Sequence, residues 1–297
     1  MKEFRTGYVS IIGRPNVGKS TLLNHLVEQK LSIVSRKPQT TRWNLLGIKT
    51  STDSQIIFID TPGLQKEPKL ALNQQMNKAV SSTLNYIDII LFVVESLKWN
   101  ELDDNVVELL KKSTSAQLFL VLNKVDKIAD KSNLLSFIDT VVKETDFSEV
   151  IPVSATKGTG LEELESAIIK NLPFAPPLFP DDQVTDRSER FFAAEFIREK
   201  LMTRLSDELP YHLSITIDEF KEENNVIHIY ANIWVERKGQ KSIVIGKDGS
   251  VLKAVGREAR KDLEVMFDKK VNLKTWVKVK KKWTDSTQAL KQFGYYE

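Results

Sequence analysis

Apolar residues follow two different patterns along the chain. Up to Leu172, short continuous apolar runs alternate with stretches in which apolar positions recur every three or four residues. Tyr8–Ile12, Gln55–Ile59, Asp88–Val94, Gln117–Leu122 and Val150–Val153 read as strands. Thr21–Leu26, Leu70–Leu84, Asp103–Lys112, Ser132–Lys143 and Leu161–Leu172 read as helices. Leu45–Ser51 adds a strand paired with Gln55–Ile59 through the polar turn at 52–54. Strands apolar on both faces and separated by helices predict an α/β fold, with a mostly parallel sheet covered on both sides.

Pro173, Pro176, Pro177 and Pro180 then interrupt both patterns, because proline has no N–H to give a helix or a central strand. The stretch reads as a semi-rigid linker. Beyond it, Ser188–Leu205 is a helix with Ser188 as N-cap, and Leu213–Phe220 and Val226–Val235 are strands joined by the turn at 221–225. Ser250–Phe267 is a basic amphipathic helix, and Val271–Val279 is a strand with alternating lysines. The expected organisation is a first domain over 1–173, a linker over 174–187, and an α+β second domain with a C-terminal tail over 188–297.

Composition narrows the function classes. The chain has 297 residues and no cysteine, which removes disulfides and thiolate metal sites. His25, His212 and His228 are scattered and read as structural. No stretch is apolar for long enough to span a bilayer, and Met1–Arg5 opens without a signal core. The net charge is only +3, yet the segment 237–282 carries 15 Lys/Arg against 5 Asp/Glu, leaving 28 against 35 elsewhere. Such asymmetry points to a polyanion-binding C-terminal segment.

The candidate chemistry begins at Gly13-Arg14-Pro15-Asn16-Val17-Gly18-Lys19-Ser20, between the first strand and the helix opened by Thr21. In that setting the GxxxxGK[ST] pattern is a phosphate cradle. Backbone N–H groups and the helix N-terminus face the β-phosphate, Lys19 reaches the β- and γ-phosphates, and Ser20 takes Mg²⁺. Asp60-Thr61-Pro62-Gly63-Leu64 follows a strand, where Asp60 can hold Mg²⁺ and the Gly63 N–H can sense a γ-phosphate. In the polar segment Ser35–Trp43 a threonine can close on the metal; Thr41 is the choice and Thr40 the alternative. Asn123-Lys124-Val125-Asp126 supplies a carboxylate that can accept from N1–H and the amine of guanine, and Ser154-Ala155 a backbone N–H for its O6.

Together these motifs resemble the bacterial Era family of translation-factor-type GTPases. The resemblance implies GTP·Mg²⁺ hydrolysed to GDP, with Lys19, Asn16, Thr41 and Gly63 in catalysis and Ser20, Thr41 and Asp60 on the metal. Leu64 stands where many small G proteins have a water-orienting glutamine. In related GTPases the residue equivalent to Asn16 helps hold K⁺, so K⁺ is a second expected ion.

In the basic segment, Ile245-Gly246-Lys247-Asp248-Gly249 is a GxxG loop that lets a nucleic-acid backbone approach closely. Lys247, Lys241, Lys253, Arg257 and Lys280 are the candidate phosphate contacts, and Ile243, Ile245, Val251 and Leu252 the candidate groove floor. The element order resembles a type II KH domain, and GTPase plus KH is again the Era arrangement. The resemblance implies small-subunit ribosomal RNA near its 3′ end as partner, the small ribosomal subunit as the object of maturation, and a place in the cytoplasm with peripheral attachment at the inner membrane face; a monomer is expected. Two rivals remain at this point. One is a membrane-associated signalling G protein whose basic segment meets acidic lipids; the other is an ATPase in which Asn123–Asp126 is accidental.

Overall fold

The apolar runs become strands and the periodic stretches helices in a computed structural model that describes residues 4–35, 37, 40–62, 70–83, 86–113, 115–130, 132–143, 145–206 and 208–295. The elements up to the prolines are β1 (Arg5–Ile12), α1 (Lys19–Leu26), β2 (Leu45–Thr50), β3 (Ser54–Asp60), α2 (Ala71–Thr83), β4 (Ile89–Glu95), α3 (Glu101–Ser113), β5 (Gln117–Asn123), α4 (Ser132–Val142), β6 (Glu149–Pro152) and α5 (Leu161–Asn171). The sheet order is β2-β3-β1-β4-β5-β6, with only β2 antiparallel to its neighbour.

The central strands are apolar on both faces because both faces are covered. Ile89 to Val94 of β4 are all fully buried. Each such side chain contributes about 1.5–3 kcal/mol by leaving water, before the entropy of ordering is counted. The order places β1 between β3 and β4, and the candidate motifs follow the carboxyl ends of β1, β3, β5 and β6. Ligands of open parallel sheets bind at that edge.

The proline-rich stretch is fastened along the first unit, which runs to Asp186. At its start the Thr6 N–H donates to the Pro173 carbonyl and the Ala175 N–H to the Phe4 carbonyl, both at 3.1 Å, and the buried side chain of Gln55 holds the next turn. Its Oε1 accepts from the N–H groups of Leu178 and Phe179 (2.8 and 2.9 Å), and its Nε2 donates to the Phe179 carbonyl at 2.8 Å. Further on, the Ile48 N–H donates to the Val184 carbonyl at 2.9 Å. An extended proline-rich chain cannot satisfy its own backbone groups, so a buried amide from a neighbouring strand does it instead.

The second unit comprises Ile33–Thr40, Glu67–Gln75 and Arg187–Glu297. Its main elements are α6 (Glu189–Arg204), β7 (Leu213–Glu223), β8 (Val226–Val235), α7 (Lys238–Ile245), α8 (Ser250–Phe267), β9 (Lys270–Val279) and α9 (Thr287–Gln292). Ser188 caps α6 through the Phe191 N–H. β7 and β8 are antiparallel, and β9 joins β8 in parallel as an edge strand. The turn between β7 and β8 is tighter than the five polar residues suggest. Asn224 and Asn225 alone make it, with φ of 50° and 61°, the pair of left-handed residues that a two-residue hairpin needs.

Ile233 and Val235 pack with Leu201, Val244 and Val255, and Ile229 packs with Phe196, Met202 and Leu263. Ile33 is buried in the same unit, the Val34 N–H donates to Glu199 at 2.9 Å, and Arg198 donates to the Thr40 carbonyl. The residues after β9 form more than a tail. Trp283 is fully buried and packs its ring on Phe293 and Tyr295. No helix among the described residues is long and apolar enough to cross a membrane.

Candidate nucleotide and nucleic-acid sites

The loop from Gly13 to Ser20 is shaped by the strand end opposite it. Gly18 has φ 107°, and a Cβ on it would stand 2.3 Å from Nδ2 of Asn123. That amide donates to the Val17 carbonyl at 2.7 Å, so the base-recognition motif holds the phosphate loop from behind. Asn16 is exposed with φ 65°, and its carbonyl accepts from Lys124 Nζ at 2.7 Å. Arg14 bonds to Asp103 at 3.1 Å and to the Lys98 carbonyl at 3.0 Å. Pro15 and Thr21 are half-buried and Val17 is fully buried.

Lys19 crosses the loop and donates to the carbonyls of Gly13 (2.9 Å) and Arg14 (3.1 Å). Burial lowers its pKa to about 8, against the opposing pull of Asp60. The carboxyl group of Asp60 is itself raised by burial, opposed by Ser32, Lys19, Ser20 and Thr41. Its Oδ2 accepts from Ser20 (3.0 Å), Ser32 (2.7 Å) and Thr41 (3.2 Å), and the Ser20 and Thr41 hydroxyls are 3.0 Å apart.

Asp60 Oδ1 is buried without a hydrogen-bond partner. An orphaned carboxylate oxygen beside two hydroxyls suits a small hard cation. Among the described residues no group of three or more His, Cys, Asp or Glu could hold a metal alone. Such a sparse donor set fits Mg²⁺, which keeps few protein ligands and takes phosphate oxygens from a nucleotide.

Of the two threonines considered, Thr41 lies with Ser20 and Asp60, whereas the Thr40 hydroxyl turns to the Lys37 carbonyl at 2.7 Å. Thr61 ties the end of β3 to the Ile11 carbonyl at 3.1 Å, and Pro62 is buried. Gly63 and Leu64 lie outside the described residues. Ser32 belongs to no motif, and only its buried place against Asp60 reveals it.

At the base end, Asn123 Oδ1 accepts from the N–H groups of Lys124 (2.7 Å) and Ala155 (3.0 Å). Asp126 is exposed and accepts from the Ser154 hydroxyl at 2.6 Å. Ser154 thus orients a carboxylate that is open to a base. Lys124, at φ 67°, also pairs with Glu95 at 2.7 Å. Burial pushes Glu95 up, but hydrogen bonds from Lys124 and Lys98 outweigh it and hold the carboxyl at about 2. Glu95 closes β4 without a motif around it, so the sequence carried no signal for it.

In the second unit, α7 ends at Gly246, whose φ is 73° and whose hypothetical Cβ would stand 2.9 Å from the Val251 nitrogen. Only glycine fits that approach. Lys247 and Asp248 are exposed, and Gly249 opens α8. An open groove of about 460 Å³ runs from Gly249 along α8 to β9, with Lys253, Arg257 and Arg260 on one wall and Leu273 and Thr275 on the other. Leu252 lines the groove, and Val251 is half-buried beside it. Ile245 packs against the core, Ile243 is exposed, and Lys241 is half-buried outside the groove lining. Lys280 lies over the Phe293 ring, 5.0 Å from its centroid. Arg260 is an addition, and the spacing 253, 257, 260 on one helical face would have found it.

Comparison with known proteins bears on both units. The model for "50S ribosome-binding GTPase" matches residues 8–124, and that for "KH domain" matches residues 208–284. GTPase Era of Marinobacter nauticus is 52% identical over 98% of this chain and 95% of its own length. GTPase Era of Pseudomonas aeruginosa is 50% identical over 98% and 95%. A solved structure of Era with MgGDPNP and nucleotides 1506–1542 of 16S ribosomal RNA superposes with a TM-score of 0.95 at 39% identity, covering 99% of this chain and all of that one. A point variant of Aquifex aeolicus Era bound to GDP·AlF4⁻ gives the same figures. The phosphate loop, the base-recognition strand ends and the glycine loop in its basic groove thus lie in a chain similar to these proteins over nearly its whole length, and the chain belongs to the Era family of GTPases.

Proposed function

We propose that the chain couples its GTPase cycle to binding of small-subunit ribosomal RNA near the 3′ end, in the cytoplasm, during maturation of that subunit. The observation that carries the nucleotide half is the convergence of Ser20, Thr41 and Asp60 beside Lys19. Ser20, Thr41 and Asp60 would hold Mg²⁺ there, and the ion would supply positive charge to the nucleotide's phosphates. Lys19 adds a second charge from the loop, and Asp126 with Ser154 selects the base. The RNA half rests on a glycine-stapled loop opening into a groove walled by Lys253, Arg257 and Arg260. A lipid surface would require the same basic charge but no such loop, which favours RNA over acidic headgroups.

The RNA assignment is tested by the affinity of the full chain for RNA of 16S nucleotides 1506–1542. Lys247→Asp leaves both glycines in place but sets a second carboxylate beside Asp248. The expected loss is about tenfold or more at low salt, narrowing as salt rises. An unchanged affinity would remove the RNA assignment. Affinities that are equal with GDP and with a non-hydrolysable GTP analogue would remove the coupling, because a ligand shifts an equilibrium only through unequal affinity for its states.

We further propose that Asn16, exposed on the loop, helps hold K⁺ against the phosphates, where an added charge would stabilise the transition state. GTP hydrolysis is then expected to run about tenfold or more faster in potassium than in sodium chloride, and Asn16→Ala to abolish the difference. Equal wild-type rates in the two salts would refute the role.

A further inference from the structure

The sheet of the second unit has one face against α6, α7 and α8 and another turned away from those three helices. On β8 the outward residues are His228, Tyr230, Asn232 and Trp234. Their parallel partners on β9 are Asn272, Lys274, Trp276 and Lys278. Side chains alternate along a strand, so these eight share one surface. The aromatic residues on it have different roles. Trp234 is committed to the fold: its indole N–H donates to Thr216 at 2.9 Å and its ring packs on Phe293 at 5.3 Å. Trp276 is 47% exposed, and its ring stands edge-on to Tyr230 at 5.7 Å. A tryptophan with half its surface in water gains little for the fold. It does offer a flat apolar area bordered by charge.

That charge is positive and regularly spaced. Lys274 Nζ lies 5.2 Å from the centre of the Tyr230 ring, and Lys278 Nζ lies 5.5 Å from that of Trp234. Asp218 on β7 stands 3.8 Å from Lys278 and is engaged by Asn232 at 2.5 Å, so it marks the inner limit of the basic half. An exposed indole flanked along its strand by lysines is what an unpaired nucleotide requires. Every base has a face that can stack, and each stacked base brings a phosphate past an ammonium group.

We propose that the outward face of β8 and β9, centred on Trp276 and Tyr230 with Lys274 and Lys278, is a stacking platform for single-stranded RNA beyond the nucleotides held in the groove. β9 is the edge strand of the sheet and also supplies Leu273 and Thr275 to the groove. A strand lying along α8 therefore reaches the platform by crossing a single β-strand. The proposal rests on the reading of the groove as an RNA site and lengthens the single strand recognised.

The test measures affinity of the full chain for labelled RNA of 16S nucleotides 1506–1542. Trp276→Ala is expected to weaken binding about tenfold, the scale of one lost base–aromatic stack, while Trp276→Phe stays within about twofold of wild type. Thermal melting of both variants should match wild type, since the ring is half in solvent. Lys274→Ala should lower the salt slope of binding by about 0.7, one phosphate contact to a single strand.

If Trp276→Ala binds as wild type while Lys247→Asp is impaired, the platform is overturned and the groove stands. If Trp276→Ala is weakened and Lys247→Asp is not, the platform stands and the groove reading falls. If Trp276→Ala keeps its RNA affinity but loses binding to phosphatidylglycerol vesicles, the face meets lipid and the proposal is overturned.

Discussion

Replacing Asp126 by Asn is expected to lower GTP affinity by at least about 100-fold and to raise affinity for xanthosine triphosphate. The carboxylate is exposed and held by the Ser154 hydroxyl at 2.6 Å, and as a carboxylate it can accept at both oxygens. Guanine offers two donors on one edge, N1–H and the amine at C2. An amide in place of the carboxylate can accept from only one of them and sets its own N–H groups against the other. Two donors facing each other without an acceptor is the kind of mismatch a dry site punishes most. Xanthine carries a carbonyl at C2, so it accepts from that same amide while still donating N1–H. The sign of the base preference should therefore reverse rather than merely fade, as measured with fluorescent analogues of both nucleotides. An ATPase, the rival reading, would show no change in base preference. Uniform weakening for every nucleotide would instead mean that Asp126 only supports Ser154 and the loop.

How much of this was legible beforehand depends on the range of the interactions involved. The phosphate loop, the Asp60 turn and the Asn123–Asp126 strand end are local. Each is a short run at the end of an apolar strand, and strand period and motif spacing both lie in the sequence. The hairpin of β2 and β3 and the N-cap at Ser188 were local for the same reason. What stayed hidden is what the fold brings together across distance. Ser32 bonds to Asp60 from 28 positions away, and Glu95 holds Lys124 from 29. Neither is distinguished by its neighbours. Gln55 reads as one more residue of an apolar strand, yet it anchors the proline-rich stretch more than 120 positions later. The prolines showed that the chain could not be helix or central strand there. They could not show that a buried amide would satisfy its backbone. Trp276 was visible only as an aromatic residue in a lysine-alternating strand. Its meaning required the parallel register with β8, which no single strand encodes.

Lys19→Met should reduce kcat/KM for GTP by about 100-fold or more, and its pH dependence separates electrostatics from packing. In the nucleotide-free protein, burial holds the Lys19 amine at about 8, below its ordinary 10.5. Between those values the unfolded chain binds a proton that the folded site does not, so stability contributed by this group rises with pH from about 8 towards 10.5. Nucleotide binding should show the opposite trend. A phosphate against the ammonium favours the charged form, so the bound site keeps its proton over a range where the free site has lost it. Below pH 8 Lys19 is charged in both states and contributes no slope. Above it, GTP must bind together with a proton, and affinity should fall by up to about tenfold per pH unit. Methionine fills much the same volume without a titrating group, so Lys19→Met should bind weakly and lose this part of the slope. Other titrating groups, including guanine N1–H, remain in both proteins and cancel in the comparison. A wild-type slope that survives in Lys19→Met would assign it to those groups. It would leave Lys19 as a packing element that ties Gly13 and Arg14 together, and its charge would then be irrelevant to the phosphates.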